Sequence, residues 1–300
     1  MTSLPLGTAI LGRYVILGAI GHGGVSTVYE AIDVVMPRRL AIKALAAAHA
    51  ADPWARDGVR REALIIDRLR HPSVPRVYGY GDAPLPDGTV LPYVVMELLA
   101  GVSLATRLAQ GPLPWTEAVP VAAAVADVLA VAHRRGLVHR DLSAGNVMLT
   151  PDGIKIVDFG LATTVERKRT LPGKPRLTRT TVPRRQPILP AHRVTTTAQP
   201  ADDVYALGVL LYQMVTGQSP YPNMAQWPAA PGADFATPHF RCVAPTPVLA
   251  VPGLPRDVAE ICRACMAKRP TDRPSGRDVA LALWALATPA SPATPHQTLR

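Results

Sequence analysis

The chain has 300 residues, of which 48% are hydrophobic, so it can bury the cores of two lobes but hardly more than two globular units. Its formal net charge of +10 would suit a nucleic-acid partner, but residues 166–185 alone hold eight basic side chains against one acidic side chain. That segment contains no aromatic side chain for stacking on bases, so we expect no nucleic-acid partner.

Neither a transmembrane segment nor a secretion signal is indicated, because the chain lacks an apolar run of about 18 residues and a basic-then-apolar N-terminus. Its three cysteines, Cys242, Cys262 and Cys265, are too few for a disulfide framework. We therefore expect a cytoplasmic protein without a membrane segment. Cys262 and Cys265 have the spacing of a zinc or redox pair, but no second pair of ligands accompanies them, which favours core packing.

The first third of the chain alternates strand patterns with one helix pattern. The helix follows Asp52, which can cap it, and Pro53, which suits its first turn. Its expected buried stripe consists of Val59, Ala63, Ile66 and Leu69. The predicted strands, which form a small sheet lobe, are 11–20, 28–33, 40–45, 76–80 and 91–97.

The rest of the chain is mainly helical by its pattern. Gly136 and Gly217 each follow a helical run and suit the left-handed position just past a helix end. Ser275, with Asp278 three residues later, predicts a variant of the capping box. The predicted helices are 116–135, 202–216, 255–267 and 275–287, and the tail beyond them is expected to be disordered.

A glycine-rich turn joins the first two predicted strands. Because Gly21, Gly23 and Gly24 lack side chains, the backbone N–H groups of this turn can approach phosphate oxygens closely. Alone this signal is weak, since a glycine-rich hairpin turn needs no ligand.

Lys43 lies on a predicted strand amid apolar neighbours. A buried ammonium needs an anionic partner, and Glu62 on the following helix is the candidate. Held in this way, Lys43 can contact phosphates; the alternative is a lysine whose stem reaches to the surface.

The strongest signal is the segment His139-Arg140-Asp141-Leu142-Ser143-Ala144-Gly145-Asn146, followed by Asp158-Phe159-Gly160. The residues between them predict a hairpin that turns at Asp152-Gly153 and brings Asn146 and Asp158 together. An amide oxygen and a carboxylate so placed can share Mg²⁺ with nucleotide phosphates. Asp141 can then accept the proton of an attacking hydroxyl.

In this set and order, the motifs resemble those of the eukaryotic-like (Hanks-type) serine/threonine protein kinases of bacteria over residues 14–287. The resemblance implies an α+β, bilobal protein kinase-like fold, with a small antiparallel sheet lobe with one helix and a larger, mainly helical lobe. It implies ATP and Mg²⁺ as cofactors and proteins as substrates. The implied divisions are an N-terminal extension 1–13, a small lobe 14–97, a large lobe 98–287 with an activation segment 158–192, and a disordered tail 288–300.

The resemblance also implies five catalytic residues. Lys43 would contact the phosphates and Glu62 would hold Lys43 in place. Asp141 would be the catalytic base, and Asn146 and Asp158 would bind the metal.

The implied nucleotide site lies between the lobes. The backbone of Glu97 and of Leu99 would bond the adenine edge, and Met96 would stand behind it. Asp203 resembles the aspartate that braces the catalytic loop. Besides Gly21, Gly23, Gly24 and Lys43, the implied nucleotide contacts are Ile20, Val28, Ala41 and Met148.

The chain departs from the family pattern at two places. Ser143 stands where the family usually has a lysine that touches the transferred phosphate, so one cation for the transition state is missing. The stretch up to His192 lacks the glutamate that normally pairs with the equivalent of Arg273, which should then contact carbonyls, another acid or solvent.

Arg140 resembles the arginine that receives a phosphorylated residue of the activation segment. We expect phosphorylation to order that segment, although its threonines are also compatible with a linker of no function. The available residues are Thr163, Thr164, Thr170, Thr178, Thr180 and Thr181.

The leading hypothesis is therefore an active serine/threonine kinase that autophosphorylates, with self-association as the route. A nucleotide-binding scaffold of the same fold, favoured by Ser143 and His192, is the first alternative. A small-molecule phosphotransferase, which shares the His-x-Asp-x-x-x-x-Asn spacing, is the second.

Overall fold

The computed structural model describes residues 4–23, 26–46, 49, 52–84, 88, 90–159, 163–164, 199–221 and 246–287. The strands of its first lobe are β1 (Ala9–Ile10), β2 (Tyr14–His22), β3 (Ser26–Asp33), β4 (Arg38–Leu45), β5 (Val77–Pro84) and β6 (Val90–Met96). They form one antiparallel sheet in the order β1-β2-β3-β4-β6-β5. The predicted sheet lobe is thus confirmed.

The sheet starts earlier in the chain than its predicted boundary at residue 14. β1 pairs with β2 through Ala9 and Ile10, and Ile10 is 1% exposed in the sheet's apolar cluster. A two-residue strand is too short to produce a recognisable alternation in the sequence. β2 and β3 also extend further toward the glycine-rich turn than predicted, to His22 and from Ser26.

A buried carboxylate fixes the turn between β3 and β4. Asp33 accepts hydrogen bonds from Nε and Nη2 of Arg13 at 2.9 and 2.8 Å, and from the N–H groups of Val35 and Met36 at 3.1 Å. Against the effect of burial, the Arg13 guanidinium and the two N–H groups hold the pKa of Asp33 well below its usual range. The turn is therefore held by an ionised side chain at neutral pH.

Helix α1 (Pro53–Leu69) lies against one face of the sheet, beside β4, β5 and β6. The four residues of its predicted stripe are each no more than 6% exposed, which confirms the prediction. Val59 and Ala63 pack with Leu45 of β4. Because Glu62 lies in the same turn of the helix, this packing directs its carboxylate toward β4.

Helices around a central α3 form the second lobe. α3 packs against α4 and α6, which are far apart in sequence. Gly136 and Gly217 have φ of 73° and 70° just past the ends of α3 and α4, as predicted. The described helices are α2 (Leu104–Leu108), α3 (Trp115–Arg134), α4 (Pro200–Thr216), α5 (Arg256–Cys265) and α6 (Gly276–Ala287).

Among the described helices, α3 alone has the length and apolar composition to cross a membrane, with a mean hydropathy of 1.5 over its most apolar window. Most of that window is buried inside the protein. Val119, Ala126 and Leu129 have no exposed surface and belong to the large apolar cluster of the helical lobe. α3 is therefore packed as a core helix.

The two cysteines of α5 pack in the same core. Cys262 and Cys265 are 2% and 1% exposed, and the Cys262 thiol donates to the carbonyl of Gly208 at 3.4 Å. Burial raises the pKa of both thiols to about 12. Both are therefore protonated packing residues, as expected, and Cys242 lies outside the described residues.

The remaining described strands are short. They are β7 (Val102–Ser103), β8 (Leu137–Val138), β9 (Val147–Thr150), β10 (Gly153–Ile156) and β11 (Thr163–Thr164). β9 and β10 form the predicted hairpin, but its turn is shifted by one residue. Gly153 pairs with Thr150, so Pro151 and Asp152 make the turn. Gly153 has a φ of 120° and serves as the first strand residue instead.

Candidate active site

Lys43 of β4 lies between two carboxylates. Its Nζ is 2.8 Å from both oxygens of Glu62 on α1 and 3.1 Å from Oδ1 of Asp158, just after β10. The side chains of Lys43 and Glu62 are only 12% and 5% exposed. The predicted Lys43–Glu62 contact is therefore present, and Lys43 does not reach to the surface.

The charge state of this pair follows from its geometry. Burial lowers the pKa of Lys43, but the carboxylates of Glu62 and Asp158 outweigh burial and raise it. Burial also raises the pKa of Glu62, against the effect of the Lys43 ammonium. The raised pKa of Lys43 favours its charged form, whereas the raised pKa of Glu62 favours its neutral form. Both oxygens of Glu62 contact one ammonium, and burying one charge alone would cost more than burying the pair, so we assign an ion pair.

The loop after β8 is held by one buried carboxylate. Asp203 of α4 is 1% exposed and accepts the N–H groups of His139 and Arg140 at 2.8 and 2.9 Å. Nε2 of His133 on α3 lies 2.8 Å from the same carboxylate. These contacts match the bracing expected of Asp203, and they let Arg140 keep a φ of 69°.

The loop residue Asp141 is exposed and lies beside Asn146. Nδ2 of Asn146 donates to the backbone carbonyl of Asp141 at 2.8 Å and to its Oδ2 at 3.2 Å. The Val157 N–H donates to the carbonyl of Asn146 at 2.9 Å, which brings Asn146 next to Asp158 as predicted. An exposed carboxylate, an amide and a second carboxylate thus lie close together beside the two ends of the β9–β10 hairpin.

The donors present fit a magnesium ion that shares its ligands with a nucleotide. Because Asn146 bonds Asp141 through Nδ2, its amide oxygen faces away and can act as a ligand. Carboxylate and amide oxygens suit Mg²⁺. Among the described residues no group of three His, Cys, Asp or Glu could hold a metal ion, so phosphate oxygens would have to complete the site.

The His139 ring supports the loop that carries Asp141. Its ring lies 4.6 Å from the ring of Phe159, and its Nδ1 accepts the N–H of Asp141 at 3.3 Å. Burial lowers the pKa of His139, so the ring is neutral at neutral pH. His139 therefore positions the Asp141 backbone without adding a charge to the site.

The four side chains expected to contact adenine lie on β2, β3, β4 and β9. Ala41 of β4 is 5% exposed, Ile20 of β2 is 52% exposed, and Val28 and Met148 are half-buried. Ile20 is a large apolar side chain facing open space, as an adenine contact would be. Ala41 pairs with Met96 across β4 and β6, so these two residues lie side by side in the sheet.

The glycine-rich turn and the segment after β6 hold the other residues expected to contact the nucleotide. Gly21 pairs with Val28, and the Gly23 N–H donates to the carbonyl of Ser26 at 2.7 Å. Gly24 lies outside the described residues. Leu99 is half-buried, and the N–H of Glu97 donates to the Arg76 carbonyl.

Arg273 contacts carbonyls, as expected from the missing glutamate. Its guanidinium donates to Ala267 and Ala201 at 2.8 Å and to Lys268 at 3.2 Å. The carboxylate of Asp202 lies 3.8 Å away.

Most of the predicted activation segment lies outside the described residues, including Gly160, His192 and the threonines from Thr170 onward. The described part pairs Thr163 and Thr164 of β11 with Val138 and Leu137 of β8. The start of the segment therefore runs directly beside the residues that lead into the catalytic loop.

Sequence reasoning missed two residues near the site. His133, which contacts Asp203, is a polar residue on the apolar helix α3, and that contrast was the available signal. Lys155 of β10 bonds the carboxylate of Glu97 at 2.9 Å. The alternation of β10 leaves Lys155 between two buried isoleucines, but only the fold shows its partner.

Comparison with known proteins agrees with this geometry. Residues 14–285 match the family model "Protein kinase domain". The chain is 34% identical over 297 residues to serine/threonine-protein kinase PknA of Mycobacterium tuberculosis, covering 98% of this chain and 65% of that protein. It is 31% identical to a probable serine/threonine-protein kinase PknB of Bifidobacterium longum, covering 89% of this chain and 38% of that protein. The crystal structure of the Mycobacterium tuberculosis PknI kinase domain superimposes with a TM-score of 0.65 at 25% identity, covering 94% and 99% of the two chains.

Proposed function

The chain belongs to the protein kinase domain family, and from that membership we propose that it transfers the γ-phosphate of ATP to serine or threonine hydroxyls of proteins. The choice of these hydroxyls rests on the names of its relatives, which are serine/threonine kinases. Since the chain spans 65% of the length of PknA, the proposal concerns this domain. Its proposed lobes are residues 14–97 and 98–287.

The observation that carries the proposal is the simultaneous contact of Lys43 with Glu62 and Asp158. This contact joins the sheet, α1 and the end of β10 in one arrangement, so the phosphate-binding lysine and the metal-binding aspartate face the same space. Asn146 and Asp158 would hold Mg²⁺, which supplies charge neutralisation at the phosphate oxygens.

In the proposed reaction, Asp141 accepts the proton of the attacking hydroxyl and orients it toward the phosphate. Asn146 fixes the Asp141 carboxylate through its Nδ2. Lys43 holds the phosphates of ATP, and the adenine lies between Ile20, Ala41 and Met148. Closure of the two lobes would exclude water from the transfer.

We further propose that this domain acts in the cytoplasm, on protein substrates and on its own activation segment through contact between two copies. Arg140 would receive a phosphorylated threonine of that segment. The backbone N–H of Arg140 donates to Asp203, which favours a defined position for the aliphatic part of the Arg140 side chain.

One alternative keeps support from a specific residue. Ser143 is exposed and stands where the family usually has a lysine. Between His139 and Asn146, Arg140 is the only lysine or arginine that could replace that cation. A scaffold that binds nucleotide without transferring phosphate is therefore the second candidate function.

The deciding experiment is intact-mass analysis after incubation with ATP and Mg²⁺. The unmodified protein and an Asp152→Asn control, whose exposed aspartate lies in the β9–β10 turn, should gain phosphate, and Asp141→Asn should gain none. Nucleotide binding by all three proteins without any mass gain would support the scaffold instead.

A further inference from the structure

A half-buried ion pair joins the end of β6, in the sheet lobe, to β10, in the helical lobe. Nζ of Lys155, on β10, lies 2.9 Å from Oε2 of Glu97, the first residue after β6. The same oxygen accepts the N–H of Arg76 at 3.0 Å. The side chains of Lys155 and Glu97 are 16% and 30% exposed, so solvent screens this pair less than a surface pair.

The residues around this pair reinforce the connection. The N–H of Ile156, next to Lys155, donates to the carbonyl of Ser73 at 2.8 Å, and the N–H of Glu97 donates to the carbonyl of Arg76 at 2.8 Å. Ser73 and Arg76 belong to the loop between α1 and β5. Two consecutive residues of β10 therefore contact the sheet lobe. Lys155 contacts the residue after β6, and Ile156 contacts the loop between α1 and β5.

Lys155 is also adjacent to the proposed nucleotide site. It pairs with Met148 across the β9–β10 hairpin, and paired residues of an antiparallel ladder project from the same face. The ends of this hairpin carry Asn146 and Asp158. The Lys155–Glu97 distance thus sets where the segment bonding the adenine edge lies relative to Met148 and to the metal ligands.

We propose that Lys155 is a positioning residue for nucleotide binding, which acts by fixing Glu97 against the β9–β10 hairpin. The inference rests on the proposed function, since it assigns the cleft to ATP. Loss of the Lys155 charge removes the link between Glu97 and the hairpin and leaves Glu97 held only on the side of Arg76, so part of the binding energy of ATP is spent on restoring the distance between them. The base Asp141 and its partner Asn146 are held within the helical lobe, so the transfer step itself is little affected.

The test compares Lys155→Met, which keeps the length of the side chain, with Lys155→Arg, which keeps its charge. Titration with a fluorescent ADP analogue in the presence of Mg²⁺ should show about fivefold weaker binding for Lys155→Met, as expected for loss of a partly buried ion pair. Lys155→Arg should bind within about twofold of the unmodified protein. The control Arg256→Met breaks an exposed ion pair on α5, 88% exposed at the arginine, and should leave binding unchanged.

Steady-state kinetics separates positioning from general destabilisation. Lys155→Met should raise KM for ATP by about the same factor as the binding constant, while kcat stays within about twofold. Glu97→Gln should weaken nucleotide binding less in the Lys155→Met background than in the unmodified protein, because the two side chains act as one unit. If Lys155→Met fails to fold, the single Glu97→Gln variant makes the same test.

Unchanged nucleotide affinity in Lys155→Met, tighter binding, or a fall in kcat alone would overturn the inference. Absence of phosphate transfer by the unmodified protein would instead refute the proposed kinase activity and leave the binding measurement intact.

Discussion

Lys43 shows how one side chain depends on three separate parts of the chain. β4 supplies the lysine, α1 supplies Glu62, and the end of β10 leads to Asp158. None of these contacts is local in sequence, and the ammonium is nearly buried. A shift of β4 or α1 would therefore leave the charge of Lys43 or Glu62 in a poorly solvated place, which favours this single arrangement.

Ser143 offers a direct test at the same scale. It is exposed, with extended backbone angles of −148° and 167° at the start of the short 3₁₀ turn Ala144–Asn146, so a longer side chain fits without strain. Ser143→Lys should raise the rate of phosphate transfer by about tenfold or more, because it adds a cation near the charge that develops in the transition state. Single-turnover measurement of phosphate incorporation checks this.

Ser143→Met is the matched control, since it adds length without charge. It should transfer phosphate no faster than the unmodified protein, and nucleotide affinity should change little in either variant. Equal rates for Ser143→Lys and Ser143→Met would mean that another cation already occupies this role.

The site residues that sequence reasoning predicted are those whose chemistry is unusual for their surroundings. Lys43 stood out on an apolar strand, and Asp141, Asn146 and Asp158 stood out by their spacing. Lys155 did not, because a lysine in a short strand is ordinary until its partner is known. The Glu97 carboxylate reaches it only because a sheet strand and a hairpin strand meet in the fold.

At the scale of elements, Gly101 positions β7 against β9. Gly101 has a φ of 151°, and a Cβ at this position would overlap the carbonyl oxygen of Leu149. The next residues, Val102 and Ser103, pair with Leu149 and Met148. Close approach of the two backbones here therefore fixes the position of β9, which carries Met148.

Gly101→Ala should destabilise the protein by about 2–4 kcal/mol, from the backbone strain together with the overlap. Gly111→Ala is the control, because Gly111 also has a positive φ, of 122°, but no atom lies within 4 Å of its added Cβ. We expect about 1 kcal/mol for that change. Urea denaturation of both variants gives the comparison, and equal losses would show that the contact with Leu149 relaxes freely.

Helices of ordinary length were predictable from periodicity and from the glycines that follow them, whereas a short strand and the position of a hairpin turn were not. The buried stripe of α1 and the glycines past α3 and α4 follow from helix geometry alone. β1 escaped prediction because two residues make no pattern, and the β9–β10 turn shifted because Gly153 is needed at a φ of 120° inside the strand. In both cases pairing with a neighbour, which the local sequence does not encode, decided the result.

At the scale of the molecule, three polar contacts join the two lobes. Lys43 meets Asp158, Glu97 meets Lys155, and the Arg135 guanidinium donates to the carbonyl of Arg68 at the end of α1. The large apolar cluster of the helical lobe also includes Ile65, Ile66 and Leu69 of α1. The resemblance predicted two lobes, whereas their joint packing through α1 depends on tertiary contacts.

A ligand that bridges the lobes should therefore stabilise the whole molecule. At a concentration of ADP and Mg²⁺ about 100 times the dissociation constant, the free energy of unfolding should rise by about 2.7 kcal/mol and Tm by about 4–6 °C. Chelation of Mg²⁺ with excess EDTA should remove most of this gain, because phosphate charge would then face Asp158 without a counter-ion. Thermal unfolding followed by circular dichroism measures both effects.

The variant Asp158→Asn separates the metal from the nucleotide. Without the carboxylate, the variant's gain should be the same with Mg²⁺ as in EDTA, whereas Asp152→Asn in the exposed β9–β10 turn should keep the metal-dependent gain. An identical rise in Tm with and without Mg²⁺ in the unmodified protein would contradict metal binding by Asn146 and Asp158. A metal-dependent gain in Asp158→Asn would instead show that other residues bind the metal, since the amide oxygen of Asn146 alone is too weak a ligand to hold Mg²⁺.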